Sequence, residues 1–438
     1  MRSLLVALAM LAGCAGDDVD TSDTSDTSHE TTDGVSCDDD NVCTVSGVIT
    51  ENLTMTADKM WLLRGGVFIG DDINETVLTI EPGTTVYGES ATDGMLVIRR
   101  GSRIEADGTA DAPIVFTSSK EPGTRSRGDW GGLIINGRAT VNSCIEEEVE
   151  TCEAYGEGGT GWYGGDDDAD SSGTLRYVRV EFAGTLISPD NELNGIAFQG
   201  VGSGTTVDYV QVHMNADDGV EFFGGAVNAK HILVTALGDD GIDWTDGWRG
   251  KLQFGIVQQG SDAGDNGLEA DNNAEANDAA PMSEPWLSNV TVIGSPDSES
   301  SDLGMLLREG TGVHLANVLV TGFNEACLDV DHDATFANVD SGALELTNVI
   351  LDCATNFIED EGEPSVEEGF LAGEGNAEAA IDLVSAFDPI APDYQLEEGS
   401  DLLTGGAVPD DAFFESVEFL GAVGAEDWTA TWTTHASN

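Results

Sequence analysis

The chain has 438 residues, in which 82 Asp and Glu against 16 Lys and Arg give a formal net charge of −66. A polyanionic partner is bound through clustered cations, which this chain lacks, so the charge argues against nucleic acid as a partner. The 40% of hydrophobic residues and the 55 glycines still allow an ordered core, so the acidity does not imply global disorder.

The first residues have the pattern of an export signal. A basic start at residues 1–3 is followed by an apolar run at residues 4–11, too short to span a bilayer, and small residues precede Cys14. Residues 11–14, Leu-Ala-Gly-Cys, resemble a bacterial lipobox, which implies a lipoprotein signal peptide over residues 1–13 and lipidation of Cys14. The alternative is an ordinary signal peptide that ends near a cysteine.

Residues 14–36 are predicted to be a disordered tether between the lipid anchor and a folded domain at residues 37–438. They repeat Asp-Thr-Ser at residues 20–28 and contain almost no apolar residue. Ala15 after the cysteine carries no acidic retention signal. By analogy with bacterial lipoproteins, we expect the lipid anchor to lie in the outer membrane and the chain to be exposed at the cell surface.

The six cysteines other than Cys14 lie as close pairs along the chain. In an oxidising compartment this spacing predicts three disulfides. The predicted pairs are Cys37–Cys43, Cys144–Cys152 and Cys327–Cys353. The third pair requires that positions 26 residues apart meet in space, which makes it a test of the repeat described next.

A four-residue apolar pattern recurs after turns and predicts the fold. Its copies begin at Tyr177, Tyr209, His231, Phe254, Asn289, Asn317 and Asn348. Their spacing varies but does not fall below 22 residues, which is typical of parallel β-helix coils with loops at their corners. We therefore predict an all-β, right-handed parallel β-helix of roughly ten coils, with a β-sandwich or a propeller as the alternative. No segment has a convincing helical period.

A second repeat is offset from the first. It has five positions, in the order Asp, then either Asp or Asn, then Gly, then an apolar residue and finally an acid. It begins at Asp217, Asp239 and Asp265. Residues 194–196 resemble an earlier neutral copy, and Asp329 belongs to a later, degraded one. Because equivalent positions of successive coils stack about 4.8 Å apart, this repeat predicts columns of carboxylates.

Stacked carboxylates need a partner, because two of them about 4.8 Å apart repel by roughly 3.5 kcal/mol at an effective dielectric of about 20. A bound hard cation would offset the repulsion, and calcium suits such oxygen ligands best. A raised pKa, with one acid of a pair protonated, would also do so and would suit general acid and base catalysis. The remaining alternative is that the acids shape turns and point into solvent.

Two sets of candidate residues follow from these columns. The metal candidates are Asp217, Asp218, Glu221, Asp239, Asp240, Asp243, Asp265, Glu269, Asp329, Asp331 and Asp333. The catalytic candidates are Asp217, Asp218, Asp239, Asp240 and Asp243. The last three metal candidates alternate along the chain but lack the glycine and glutamate of an EF-hand, so a local calcium turn and a solvated loop both remain open.

Aromatic residues near the acids suggest a carbohydrate ligand. Trp244 and Trp248 follow the second acidic repeat, and an exposed tryptophan could stack on a sugar, with Arg249 beside it as a further ligand contact. The alternative is that both tryptophans pack into a corner of a coil. Trp130 and Trp162 are flanked by glycines and are expected to be structural.

Several short motifs, in this order, resemble a known family. They are Asp129-Trp130-Gly131-Gly132, residues 175–184, residues 202–206, Phe222-Phe223-Gly224-Gly225, Ala229-Lys230-His231 and residues 421–429. The chain is similar, over most of residues 45–435, to bacterial envelope or secreted parallel β-helix (pectin-lyase-like) lipoproteins. The resemblance implies the fold and an envelope location, and it implies no particular activity.

The sequence thus predicts a cell-surface lipoprotein, anchored in the membrane by its lipid, that binds calcium, with a polysaccharide or matrix component as a further expected ligand. The first alternative is a polysaccharide lyase or glycoside hydrolase acting on the same face. The paired aspartates resemble those of polygalacturonase-like hydrolases, but the companion His-Gly and Arg-x-Lys motifs are absent downstream. A structural or adhesive surface role is the second alternative.

Overall fold

Short strands that end at glycine and Asx turns are the main regular elements of the computed structural model, which describes residues 34–144, 151–188 and 192–438. The predicted signal peptide, Cys14 and the tether as far as residue 33 lie outside the described residues. The strands are β1 (Gly34–Cys37), β2 (Val42–Ile49), β3 (Leu53–Met55), β4 (Met60–Ile69), β5 (Val77–Ile80), β6 (Thr85–Gly88), β7 (Met95–Ile98), β8 (Arg103–Asp107), β9 (Ile114–Ser118), β10 (Gly132–Asn136), β11 (Ala154–Gly156), β12 (Gly161–Tyr163), β13 (Gly173–Glu181), β14 (Ile196–Gln199), β15 (Thr206–His213), β16 (Val220–Phe223), β17 (Asn228–Thr235), β18 (Ile242–Thr245), β19 (Lys251–Gln258), β20 (Leu268–Ala270), β21 (Trp286–Ile293), β22 (Leu303–Leu307), β23 (Val313–Thr321), β24 (Ala326–Val330), β25 (Leu344–Asp352) and β26 (Ala377–Glu378). The helices are α1 (Asp333–Ser341) and α2 (Val366–Ala372), and 3₁₀ turns span Glu157–Gly159 and Asp401–Leu403.

Parallel pairing stacks these strands into three sheets. The first halves of the long strands β13, β15, β17, β19, β21, β23 and β25 form sheet I, which continues from β3, β5 and β8. Their second halves form sheet II, which continues from β4, β6 and β9. Sheet III stacks β2, β4, β7, β10, β14, β16, β18, β20, β22 and β24. This is a right-handed parallel β-helix, so the predicted fold is confirmed and the sandwich and propeller alternatives are wrong.

A left-handed residue marks the bend in each long strand. The bend residues are Tyr177, Tyr209, His231, Phe254, Asn289, Asn317 and Asn348, with φ from 48° to 65°. They are the first residues of the predicted apolar pattern, so that repeat marks the corner between sheets I and II. Asparagine tolerates this conformation. At the other corners ring stacking offsets the strain, since the rings of Tyr209 and His231 lie 4.1 Å apart between centroids.

Inward side chains of the three sheets form one continuous hydrophobic core that runs from Cys43 to Phe370. Successive coils point equivalent positions inward, because the parallel register is kept from strand to strand. The outward positions of each sheet therefore also stack in columns. In sheet III these columns carry the predicted acids.

All three predicted disulfides are present. They join Cys37 to Cys43, Cys144 to Cys152 and Cys327 to Cys353. The third joins β24 to the residue after β25, with Cα atoms 5.6 Å apart. Positions 26 residues apart therefore do meet across one coil, as the repeat requires.

Two helices contradict the expectation that no segment is helical. Helix α1 buries only Thr335 and Phe336, and α2 buries only Val366 and Phe370. Helices this short give no readable apolar period, which explains why the sequence pattern missed them. Both lie where the core ends, and no helix in the described part of the chain is long and apolar enough to cross a membrane.

The C-terminal residues return along the outside of sheet II. Trp428 packs on His231, and Trp432 packs on Tyr209, in edge-to-face contacts. The side chain of Gln211 bonds the backbone of Thr434 through both its oxygen and its nitrogen. This segment covers the outer face of sheet II.

Candidate cation site on the acidic face

An aspartate turn leads into each of three strands of sheet III. Asp218 precedes β16, Asp240 precedes β18, and Asn266 stands at the same position before β20, each followed by glycine. The glycine is required because a Cβ on Gly241 would lie 2.4 Å from the Gly267 carbonyl oxygen of the next coil. The Asp-Gly pattern therefore allows successive coils to approach closely at this corner.

The aspartate side chains hold successive turns in register. One carboxylate oxygen of Asp218 accepts a hydrogen bond from the Asp240 backbone N–H at 3.0 Å. Asp240 accepts in the same way from the Asn266 N–H at 2.6 Å. The predicted turn role is therefore real for these two residues, although it occupies only one oxygen of each carboxylate.

A second column of acids runs along the strands themselves. Glu221 pairs in register with Asp243, and Asp243 pairs with Glu269. Register continues from Glu269 through Leu306 to Asp329, so Asp329 is the later copy that the sequence suggested. Leu306 interrupts the charge, and the continuous acidic column is three residues long.

Eight of the predicted metal ligands lie together on this surface, which we call the acidic face. They are Asp217, Asp218, Glu221, Asp239, Asp240, Asp243, Asp265 and Glu269, and they include all five catalytic candidates. Among the described residues, their oxygens converge in four triplets, each within 4.8 Å. The triplets are Asp217-Asp218-Asp239, Asp218-Glu221-Asp243, Asp239-Asp240-Asp265 and Asp240-Asp243-Glu269. Two kinds of triplet thus repeat once per coil, and neighbouring triplets share ligands.

Three acids of the acidic face are buried rather than solvated. Asp218, Glu221 and Asp240 are only 7%, 8% and 5% exposed. Burial first, and then the neighbouring carboxylates, raise the pKa of each of these three well above its ordinary value. The same causes raise the pKa of Asp217 to about 7 and that of Asp265 to about 6. The alternative of acids that merely point into solvent is therefore wrong for the buried members.

Two buried oxygens beside these acids have no hydrogen-bond partner among the described residues. One is Oδ1 of Asp243, which stands between Glu221 and Glu269. The other is Oδ1 of Asn194, a residue that is 2% exposed and whose amide nitrogen donates to Glu221. Buried acceptors without a donor are costly, and Asp243 belongs to two of the four carboxylate triplets.

Arg308 is the cation beside the acidic face, and sequence reasoning missed it. Its guanidinium pairs with Glu269 and, at 3.0 Å, with Asp271. The sequence had pointed to Arg249 instead. A usable signal existed, because Arg308 is the only Lys or Arg after Lys251.

A hairpin formed by β11 and β12 adds another acid that sequence reasoning missed. Its turn holds Glu157, whose pKa burial raises to about 7 with help from Glu192 and Asp246. Glu157 in turn contributes to the raised pKa of Asp217. The hairpin inserts between β10 and β13 in sequence, and the repeat pattern has no equivalent of it.

The proposed sugar contacts of Trp244 and Trp248 are wrong. Both side chains are fully buried in the core, where Trp248 stacks on Phe222 with ring centroids 4.0 Å apart. The indole N–H of Trp244 donates to Thr311 at 3.1 Å. Both tryptophans are therefore structural, as the alternative held, although Trp244 lies on strand β18 rather than at a corner.

Other predicted ligands lie away from the acidic face. Arg249 pairs with Asp168 at 3.0 Å, and its guanidinium also donates to the Thr140 carbonyl. Asp329, Asp331 and Asp333 belong to none of the ligand triplets found in the described part of the chain. Asp329 lies on β24 and Asp333 begins α1, so the three acids do not converge as a calcium loop.

The arrangement suits hard-cation chemistry. Carboxylate and amide oxygens at flexible spacing match calcium, which takes six to eight oxygens, better than the strict octahedron that magnesium needs. The raised pKa values of Asp217 and Glu157 would also suit proton transfer near neutral pH. Of the described residues, this face alone combines convergent acids with unpartnered buried oxygens.

Comparison with known proteins identifies the family. A family model described as a pectate-lyase-like β-helix domain matches residues 47–384. Searches of curated proteins and of solved structures gave no significant match. The matched range contains the whole acidic face and most coils of the solenoid. The chain therefore belongs to the family of pectate-lyase-like β-helix domains.

Proposed function

We propose that this chain is a cell-surface β-helix protein that binds calcium on its acidic face and, through the calcium, a polysaccharide. The observation that carries the proposal is Asp243, a half-buried carboxylate between two other acids, whose buried Oδ1 has no hydrogen-bond partner among the described residues. Its charge is compensated only by protonation or by a cation.

The number of ions follows from the spacing of the triplets. Two calcium ions in equivalent triplets of adjacent coils, about 4.8 Å apart, would repel by roughly 14 kcal/mol at an effective dielectric of about 20. Adjacent equivalent triplets are therefore not filled together. We expect one or two ions per chain rather than one per triplet.

Calcium would also make binding of a polysaccharide possible. A chain with a net charge of −66 repels an anionic glycan, and bound calcium converts the repelling surface into a bridge. Sugar hydroxyls and carboxylates are hard oxygen ligands that can complete the coordination. A pectate-lyase-like β-helix fits interaction with polysaccharide, which supports this choice of ligand.

The location remains the one that the lipobox implies. We propose an outer-membrane lipoprotein anchored through Cys14, with the β-helix exposed at the cell surface. Metabolic labelling with a radioactive fatty acid tests this: the natural chain should be labelled, and Cys14→Ser should not. Labelling of the Cys14→Ser variant would refute anchoring at that residue.

A polysaccharide lyase or hydrolase is the second candidate. Asp217 and Glu157 have pKa values of about 7, which suits a general acid or base at neutral pH. Calcium-dependent formation of new chain ends from an acidic polysaccharide, abolished by Asp217→Asn, would favour the enzyme. Saturable binding without new chain ends would favour the binding protein.

Thermal melting tests the cation site directly. The purified chain is melted in calcium, in magnesium and in chelator, with sodium chloride set to equalise ionic strength. We expect calcium to raise the melting temperature above both other conditions, and Asp240→Asn with Asp243→Asn to abolish the rise. The matched control is Asp111→Asn, an exposed turn acid far from the acidic face in sequence, which should keep the full rise. Equal melting in calcium and in matched sodium chloride would refute the site.

A further inference from the structure

Two aromatic side chains are exposed side by side on the hairpin β11–β12. Tyr155 is 50% exposed and Trp162 is 40% exposed. They face each other across the two strands, with ring centroids 5.3 Å apart and rings nearly perpendicular. Large aromatic rings are usually more buried than this, so the pair invites a functional explanation.

The hairpin holds the two aromatic rings in a fixed position. Alternation along its strands turns Ala154 and Tyr163 inward, where they pack with outward residues of sheet III. The Tyr163 hydroxyl donates to Asp246 at 3.0 Å. A disulfide from Cys144 to Cys152 closes the segment that leads into the hairpin. Rings that are already held in place lose little conformational entropy when a ligand binds.

The hairpin also adjoins the acidic face. It covers outward positions of sheet III on earlier coils, with Val97, Ile134 and Ala197 beneath it. Ala197 is followed in the same column by Glu221, so the acids begin one coil beyond the covered positions. Glu157 lies two residues after Tyr155, at most about 7 Å along the backbone, and interacts electrostatically with Asp217.

We propose that Tyr155 and Trp162 form a stacking surface for a sugar ring of the polysaccharide whose oxygens are held by cations on the acidic face. This inference rests on the proposed function and assigns its apolar contact. A sugar ring has an apolar C–H face and a polar rim, which matches an aromatic surface beside oxygen-ligated cations.

A polysaccharide fits this surface better than a second protein copy does. Two exposed rings are a far smaller apolar area than a stable protein interface buries. A second copy would also bring another net charge of −66 against the same face. The aromatic pair is therefore suited to one ring of a chain that is held elsewhere by ions.

The test measures binding of polygalacturonate, alginate and the neutral glucan laminarin to the purified chain by calorimetry, in calcium and in chelator. The aromatic variant is Tyr155→Ala with Trp162→Ala. Trp286→Ala is the matched control, since Trp286 is a similarly exposed tryptophan, on sheet I. Melting curves in calcium report folding and the cation site for every variant.

We expect the aromatic variant to bind the glycan at least tenfold more weakly than the natural chain does. Its calcium-induced rise in melting temperature should be kept, and its melting temperature should match that of the Trp286→Ala control. Unchanged affinity in the aromatic variant would overturn this inference and leave the proposed function standing. Binding of no glycan, with the calcium rise intact, would overturn both the inference and the polysaccharide part of the proposed function. Self-association that the aromatic variant alone abolishes would assign the pair to a second copy instead.

Discussion

Replacing Asp243 by Asn should stabilise the chain without calcium and should remove most of the stabilisation that calcium gives the natural chain. Asp243 stands between Glu221 and Glu269, about 4.8 Å from each by strand spacing. Full ionisation of all three would cost roughly 3.5 kcal/mol for each neighbour, or about 7 kcal/mol in all. Burial adds to this cost and raises the pKa of Asp243.

Protonation is the less costly state in the absence of a cation. Holding a proton at pH 7 on an acid whose unfolded pKa is about 3.9 costs about 4 kcal/mol, at about 1.4 kcal/mol per pKa unit. This is smaller than the repulsion, so the uncharged form of Asp243 prevails in chelator. Asparagine has nearly the same shape and needs no proton, so Asp243→Asn should recover up to about 4 kcal/mol.

Calcium should narrow the difference in stability between the two proteins. At one hundred times its Kd, a ligand adds about 2.7 kcal/mol to the natural chain, and the variant has lost a charged ligand at the centre of the column. A folded region of roughly 400 residues shifts by about 1 °C per kcal/mol. We therefore expect Asp243→Asn to melt about 2–4 °C higher than the natural chain in chelator at pH 7 and to gain little in calcium.

Scanning fluorimetry in matched ionic strength measures both differences in one experiment. Asp111→Asn again serves as the control for loss of one exposed charge from a very acidic chain. A variant that melts at or below the natural chain in chelator would refute the account of repulsion in the acidic column. A variant with an undiminished calcium response would refute Asp243 as a ligand.

Three further predictions follow. The pKa values of Asp217 (about 7) and Asp265 (about 6) lie above those of the unfolded chain, so the folded state holds extra protons. The melting temperature in chelator should therefore fall as the pH rises from about 4 to 7. A melting temperature that rises over this range would contradict the prediction. Arg308→Gln leaves the buried Asp271 and the half-buried Glu269 unpaired and should cost about 1–3 kcal/mol of stability in chelator but increase the calcium affinity measured by calorimetry, whereas an unchanged affinity would exclude competition between Arg308 and calcium. Cys327→Ser with Cys353→Ser opens a 26-residue loop and should lower the free energy of unfolding, measured with denaturant, by about 3.5 kcal/mol. An unchanged free energy of unfolding would contradict this prediction.

Part of the site followed from the sequence because stacking makes distant positions equivalent. A repeat no shorter than 22 residues placed Asp217 beside Asp239, and the strand register bears this out through Glu221 and Asp243. The same logic predicted that Cys327 would meet Cys353. Within a coil, however, the pattern left open which residues point inward, and the sugar-stacking hypothesis placed Trp244 on the wrong side.

The amino-acid sequence by itself determined the solenoid, its corners, the disulfides and the acidic columns, since each depends on a local pattern that recurs at a nearly constant spacing. Only the tertiary structure decided that the acids are buried, that Arg308 pairs with Glu269 across 39 residues, and that the hairpin places Tyr155 and Trp162 beside them. Those features depend on loops of irregular length and on which side of a strand faces the core. A periodic pattern contains neither kind of information, because both are settled by packing between coils.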